Sequence, residues 1–236
     1  MKRVDKYLVE QNYFESRNRA IDAIKRGKVF VDGKIAKPST KCSNKSNIDI
    51  DSEKFYVSRA SKKLELFLEE YPIDLKDKRA LDIGSSTGGF VQILLENSVK
   101  SVTAVDVGSN QLHHSLRDNP KVKIFENRDI RDFHAVESFD IVTCDVSFIS
   151  ILQIIDDIDR LSSRDMILLF KPQFEVGRGV KRDSRGVVVD KKAISDAIDR
   201  FENKTSDLKW KLCYSTPSKL AGKSGNIEFV YYFRKQ

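Results

Sequence analysis

Apolar residues repeat with different periods in two parts of the chain. In the first part Val4, Leu8 and Val9 fall on one helical face and Ala20, Ile21 and Ile24 on another, so the spacing predicts two short helices. Ser16 is placed as N-cap of the second helix and Gly27 as its C-cap. Residues Lys28–Ile35 then alternate about Asp32-Gly33, which predicts a tight hairpin, and Asn47–Ile50 is a further strand. From Ser58 onward, strand-length apolar runs alternate with helical spacing. The strands are expected at Arg79–Ile83, Ser101–Val105, Val122–Phe125, Phe139–Cys144, Met166–Phe170, Lys209–Ser215 and Ile227–Phe233. Helices are expected at Ala60–Glu70, Gly88–Asn97, Ile149–Leu161 and Lys191–Phe201. Such alternation implies an α/β fold with a mostly parallel sheet covered on both faces. The last two strands have no helix between them and are expected to form an antiparallel hairpin at one edge. The expected division is 1–57 for a small α+β domain, 58–63 for a linker or the start of the larger domain, and 64–236 for a Rossmann-like seven-stranded domain.

Composition adds little until charge is divided between these parts. The 236 residues carry a net charge of +7, but residues 1–63 hold 16 Lys and Arg against 8 Asp and Glu, a net of +8. The remainder is nearly balanced at −1. A polyanion is the natural partner for so one-sided a segment. The longest apolar runs are strand-length, so no membrane insertion is expected. The charged N-terminus leads into no apolar segment of the secretory kind. Cys42, Cys144 and Cys213 are scattered without metal-ligand spacing, so neither a disulfide framework nor a metal site is expected, and a cytoplasmic location is.

The glycine-rich turn in Ala80-Leu-Asp-Ile-Gly-Ser-Ser-Thr-Gly-Gly-Phe90 links a strand to a helix and is the expected nucleoside end. Asp82 ends that strand, where a carboxylate can meet a cationic amino group. Asp106, in Ala104-Val-Asp-Val-Gly108, ends the next strand, where an acid binds ribose hydroxyls. Asp129 follows the third strand beside Ile130 and fits a position near an adenine. A dinucleotide fingerprint needs glycine at the position of Ser86, because a pyrophosphate packs on that backbone. S-adenosylmethionine, which has no phosphate, tolerates a side chain there. The expected cofactor-binding residues are therefore Asp82, Gly84, Ser85, Ser86, Thr87, Gly88, Gly89, Phe90, Asp106, Val107, Asp129, Ile130 and Asp145.

Four polar residues are separated in sequence but stand next to conspicuous motifs. They are Lys63 in Ser58-Arg-Ala-Ser-Lys-Lys-Leu64, Asp145 in Asp145-Val-Ser-Phe148, Lys171 in Lys171-Pro-Gln-Phe-Glu175, and Glu228 on the final strand within Gly225-Asn-Ile-Glu228. Together with the glycine-rich turn these motifs resemble the FtsJ-type ribose 2′-O-methyltransferases. The basic leader, with Val4-Asp-Lys-Tyr-Leu8, Ser16-Arg-Asn-Arg-Ala20 and Gly27-Lys-Val-Phe-Val-Asp-Gly33, resembles the TlyA subfamily in particular. That subfamily joins an RNA-binding domain like that of the fourth small-subunit ribosomal protein to an FtsJ-like domain.

The resemblance implies a catalytic tetrad of Lys63, Asp145, Lys171 and Glu228, S-adenosylmethionine as donor, and a ribosomal RNA or ribosomal subunit as partner. It implies a cytidine target, and the compact ends of the chain resemble the subtype acting on large-subunit RNA. Lys171, desolvated and next to another cation, would accept the hydroxyl proton or stabilise the alkoxide, with Asp145 and Glu228 orienting the lysines. No metal is required. Expected RNA contacts are Arg3, Lys6, Arg17, Arg19, Lys25, Arg26 and Lys28 in the leader, with Arg59, Lys62, Arg178, Lys181 and Arg182 beyond it. The segment Phe174–Gly186, rich in glycine and basic residues, is read as a cover over RNA phosphates. Amino-group methylation lacks its proline motif here, and Cys144 ends an apolar strand as a core thiol rather than a nucleophile. Two competing readings are a membrane-active haemolysin, a label some relatives carry, and a non-catalytic RNA-binding assembly factor.

Overall fold

The structure is a computed structural model, and it describes residues 1–50 and 54–235. The expected domain 1–57 includes Asp51–Glu53 and the expected domain 64–236 ends on Gln236, and those residues lie outside the described ones. Two compact units divide at Phe55 and Tyr56.

The first unit contains β1 (Lys2–Arg3), α1 (Val4–Glu10), α2 (Arg17–Lys25), β2 (Val29–Val31), β3 (Lys34–Ile35), β4 (Lys41–Cys42) and β5 (Ile48–Ile50). The Ser16 hydroxyl caps α2 by accepting from Arg19 N. Arg26 closes that helix, with Gly27 following at φ +72° so that Lys28 N reaches Ala23 O at 3.0 Å. Glycine is favoured there because the left-handed conformation costs it nothing. Asp32 and Gly33 both have positive φ, as a two-residue hairpin requires, and β2 pairs with β3 and β5. Of the helical faces expected from sequence, Val4, Leu8, Ala20 and Ile24 are buried with Val29 and Val31, whereas Val9 and Ile21 are half-buried. The antiparallel pair β1–β4 was not expected, being only two residues long in each strand.

The first element of the second unit is α3 (Arg59–Glu70), with Ser58 at the N-cap position but making no capping hydrogen bond. Residues 58–63, expected as a linker or the start of the larger domain, therefore lead into and begin this helix. Then follow β6 (Arg79–Ile83), α4 (Gly89–Glu96), β7 (Ser101–Val105), α5 (His114–Arg117), β8 (Val122–Phe125) and β9 (Phe139–Cys144). The chain ends with α6 (Ile155–Leu161), β10 (Ser162–Phe170), α7 (Pro172–Glu175), α8 (Lys191–Asp207), β11 (Trp210–Pro217) and β12 (Phe229–Lys235). Strand order is β11-β12-β10-β9-β6-β7-β8, parallel except where β12 runs antiparallel to both β10 and β11. Neighbouring residues of one strand pack on opposite faces. Ile141, Ile167 and Leu169 join Leu64, Phe67 and Ile93, whereas Val142, Leu168 and Phe170 join Ile158 and Phe201. Burial on both faces explains the unbroken apolar run Met166–Phe170 in the second half of β10.

Two expectations are corrected. The helix expected over Ile149–Leu161 is interrupted: a 3-10 turn at Ile151–Gln153 precedes α6. Its first N–H groups are captured by Glu175 and Ser150, which fix a tighter turn than the helix would have. Glu228 does not stand on the final strand but directly before β12. Residues before it close a loop through Gly222 N to Asn226 O at 2.8 Å and Ser218 N to Glu228 O at 2.7 Å, and Ile227 is exposed.

Candidate active site

The order of the sheet reverses between β6 and β9, with β7 on the far side of β6. A crevice opens there beyond the carboxyl ends of the strands, where open α/β sheets hold their ligands. The chain crosses this crevice tightly, since Asp145 N bonds Ile83 O at 3.1 Å and Gly84 N bonds Val105 O at 2.9 Å. Gly84 has φ +75°, and a Cβ on it would meet Val146 Cγ1 at 3.0 Å and Asp145 O at 3.2 Å, so only glycine fits the approach.

Two adjoining cavities share Gly84, Ser86, Asp145 and Ser147. The larger, of about 330 Å³, is lined by Asp106, Val107, Asp129 and Ile130. Asp82, Ser85, Thr87, Gly89, Phe90 and Lys171 line the other. Gly88 caps α4 between them at φ +92° and lines neither cavity.

Each acid in this crevice has its own setting. Asp82 is buried, and its Oδ1 accepts from the Thr143 hydroxyl at 2.7 Å while Oδ2 has no partner among the described residues. Burial pushes this carboxyl up to about 8, aided by the charges of Asp145 and Asp106. An unpaired acidic oxygen at a cavity wall suits a cationic amino group, so the residues fit the amino-acid end of S-adenosylmethionine. Asp106 accepts from Ser86 N at 2.8 Å through Oδ2 and from Gly108 N at 2.7 Å through Oδ1. Ser86 holds φ +45° to aim its amide at Asp106, so that amide is taken and cannot bind a pyrophosphate. Asp129 is held below its ordinary range by Arg131, whose guanidinium reaches Asp129 Oδ2 at 2.6 Å.

The four separated residues form two ion pairs. Lys63 Nζ lies 2.5 Å from Glu228 Oε2, and Lys171 Nζ lies 2.5 Å from Asp145 Oδ1. Lys171 and Glu228 are buried, and Lys63 comes in from the flank of α3 beside Ser61 and Leu64, which face the core. Burial raises Asp145, while Lys171 first and then Lys63 oppose it and Glu228 adds to it. The two pairs therefore sense one another. Lys171 also donates to Ser147 Oγ at 2.9 Å, and Gln173 Nε2 donates to Glu228 Oε1 at 3.0 Å. Ser147 and Gln173 were not singled out from sequence, although both stand inside the motifs of Asp145 and Lys171. Phe148, also in the first motif, is 93% exposed at φ +67° and packs against Phe174.

The basic residues are dispersed. In the first unit Arg3 Nε and Arg17 Nε reach the buried Asp5 at 3.0 and 2.7 Å. Arg19 lies over the Phe55 ring at 4.5 Å, and Arg26 pairs with Asp22 at 3.0 Å. Lys6 and Lys25 are exposed, and Lys28 is half-buried. In the second unit Arg59 donates to Ala221 O at 2.8 Å, and Lys62 is raised by hydrogen bonds to Glu65 and Tyr56. Arg178 and Lys181 are exposed in the segment after α7. Arg182 donates to the carbonyls of Gln173, Gly177, Arg178 and Val180, so its guanidinium shapes the segment expected to be a cover. Cys144 is buried with its thiol pushed up to about 12, which leaves no nucleophile there.

Known proteins share both units. The FtsJ-like methyltransferase family matches residues 56–235, and the S4 domain matches residues 2–47. A 23S rRNA (cytidine-2′-O)-methyltransferase TlyA of Campylobacter jejuni is 46% identical over 97% of this chain and 98% of its own length. A 16S/23S rRNA (cytidine-2′-O)-methyltransferase TlyA of Mycobacterium tuberculosis is 37% identical, over 99% of this chain and 90% of its own length. Hemolysin A of Brachyspira hyodysenteriae is 38% identical over 98% of this chain and 99% of its own length. Among solved structures, a hemolysin candidate from Streptococcus thermophilus superposes with a TM-score of 0.73 at 31% identity, covering all of this chain and 88% of the other.

Proposed function

This chain belongs to the TlyA family of FtsJ-like methyltransferases with an S4 domain, and on that premise we propose that it methylates the ribose 2′-hydroxyl of a cytidine in ribosomal RNA, in 23S rRNA of the large subunit. The observation that carries the reading is the convergence of Lys63, Asp145, Lys171 and Glu228 into two ion pairs that sense one another, one of which, Lys171–Asp145, lines a nucleoside-sized cavity. Bound there, S-adenosylmethionine would supply an electrophilic sulfonium methyl, with a neutral thioether as the leaving group. Asp82 would hold its amino group, Asp106 its ribose, and the region of Asp129 and Ile130 its adenine. Ser85, Ser86, Thr87, Gly88, Gly89 and Phe90 shape the turn between them.

The chain's own work is to align and deprotonate. A ribose hydroxyl holds its proton firmly at neutral pH and must release it as its oxygen bonds to the methyl carbon. Lys171 Nζ, fixed by Asp145 and Ser147, brings positive charge to that oxygen as it becomes an alkoxide. The released proton passes to Asp145, whose carboxyl is already biased toward protonation by burial. Glu228, steadied by Gln173, pairs with Lys63 and fixes its position. Alignment of the reacting atoms in the crevice contributes much of the acceleration.

The basic first unit supports RNA as partner: Arg3, Lys6, Arg17, Arg19, Lys25, Arg26 and Lys28 are its proposed phosphate contacts, joined by Arg59, Lys62, Arg178, Lys181 and Arg182 of the second unit. A ribosomal substrate goes with a cytoplasmic location. Among the described residues no helix is long and apolar enough to cross a membrane. Lys171→Ala tests the assignment. It is expected to lower methyl transfer by at least ~10³-fold while the affinity for S-adenosylhomocysteine changes only a few-fold. Retention of more than a tenth of wild-type transfer would remove Lys171 from the mechanism.

A further inference from the structure

The loop between β7 and α5 returns to the larger cavity and puts Gln111 on its wall. Nothing in the sequence marks this residue, yet the surrounding structure is built to hold it. The backbone amides of Asn110, Gln111 and Leu112 all converge on the Glu126 carboxylate, at 2.8, 2.9 and 3.1 Å. Arg117 reaches the same carboxylate at 2.5 Å, so it stays ionised, at about 2. Gln111 Oε1 accepts from the Ser86 hydroxyl at 3.1 Å, which turns the other end of the amide the opposite way. That end lies over Gly108. A Cβ at Gly108 would stand 1.7 Å from Gln111 Nε2 and 3.1 Å from Asp106 Oδ1. The amide donor and the Asp106 carboxylate therefore converge above the same glycine, and Nε2 has no acceptor among the described residues.

The chemistry of such a pair is specific. An ionised carboxylate only accepts hydrogen bonds, and an amide nitrogen only donates them. A hydroxyl does both. A vicinal diol meeting Asp106 and Gln111 together donates to the first and accepts from the second, leaving fewer unsatisfied lone pairs than the carboxylate alone. From this we infer that Gln111 is a nucleoside-binding residue that reads the ribose diol of the methyl donor jointly with Asp106, with Gly108 kept bare to admit it. The inference rests on the donor cavity proposed above and adds to it a residue, a bonding partner and a reason for Gly108.

The test is calorimetric titration of the full chain with S-adenosylhomocysteine. Gln111→Ala is expected to weaken binding by roughly ten-fold, the scale of one lost hydrogen bond in a partly enclosed site. Gly108→Ala, whose backbone angle suits alanine, is expected to weaken it similarly by displacing Gln111. The double variant Gly108→Ala/Gln111→Ala is expected to be no weaker than Gln111→Ala alone, because the displaced group is gone. For an analogue lacking both ribose hydroxyls, wild type and Gln111→Ala are expected to bind alike. Unchanged binding by Gln111→Ala, losses that multiply in the double variant, or a Gln111→Ala effect that persists with the deoxy analogue would overturn the inference. A wild-type chain that binds no S-adenosylhomocysteine would instead overturn the donor-cavity reading beneath it.

Discussion

Asp82 is under two opposing demands. Its burial favours the neutral acid, at about 8, whereas its proposed ligand is an ammonium that needs the carboxylate. A carboxyl raised in the folded state binds its proton more tightly there than in the unfolded chain. Its contribution to stability is therefore most favourable at acid pH and declines as pH climbs from the ordinary carboxylate range towards 8. Ligand binding reverses the preference, because the ammonium draws the proton off. Binding of S-adenosylhomocysteine near neutral pH is accordingly expected to release a proton. Its affinity is expected to rise between about pH 6 and about pH 8, where the ordinary carboxylate would already be flat. Titrations in buffers of differing ionisation enthalpy measure both effects. Asp82→Asn is expected to raise the thermal midpoint at alkaline pH, abolish the proton release and weaken binding. Affinity that is level across that range, with no proton released, would show that Asp82 is ionised before the ligand arrives.

At the scale of elements, the position of Lys63 depends on how closely α3 and α4 cross. Gly89 in the first turn of α4 makes that crossing possible: a Cβ on it would lie 2.3 Å from Ser58 Oγ, 2.7 Å from Ala60 Cβ and 2.8 Å from Ser61 N. Two of these neighbours are backbone or a β-carbon and cannot swing away. Gly89→Ala is therefore expected to cost about 1–3 kcal/mol of stability, read as a lowered denaturation midpoint. It is also expected to slow transfer by moving the start of α3, and a variant as stable and active as wild type would refute that packing. The elements themselves were largely legible in the sequence. Doubly buried strand segments such as Met166–Phe170 of β10 show unbroken apolar runs, and strong turn residues punctuate the first unit. What escaped were features made by single hydrogen bonds. No periodicity reports that Glu175 captures Ile151 N and shortens a helix, or that a loop closure holds Glu228 just outside β12. The candidate site divides in the same way. The four residues of the two ion pairs stand beside recognisable motifs, but Gln111 and Glu126 are joined by backbone amides, which any residue type supplies.

Across the whole molecule, charge and chemistry are divided. Residues 1–63 carry a net of +8 and the rest −1, while both ion pairs and both cavities belong largely to the balanced part. The proposed reading therefore expects RNA affinity and donor affinity to be separable. Lys6→Glu combined with Lys25→Glu is expected to weaken RNA binding and to flatten its salt dependence, the slope falling by about one for each phosphate that is no longer neutralised. S-adenosylhomocysteine binding is expected to be unaffected. An unaltered salt slope would remove these two lysines from the RNA-binding surface.

The most direct measurement is transfer of labelled methyl from S-adenosylmethionine to separated small and large ribosomal subunits, followed by alkaline hydrolysis of the RNA. The predicted result is label from the large subunit in an alkali-resistant dinucleotide that begins with cytidine, because a methylated 2′-oxygen cannot attack the neighbouring phosphate. Label that is released entirely as mononucleotides would place the methyl on a base and contradict ribose methylation outright.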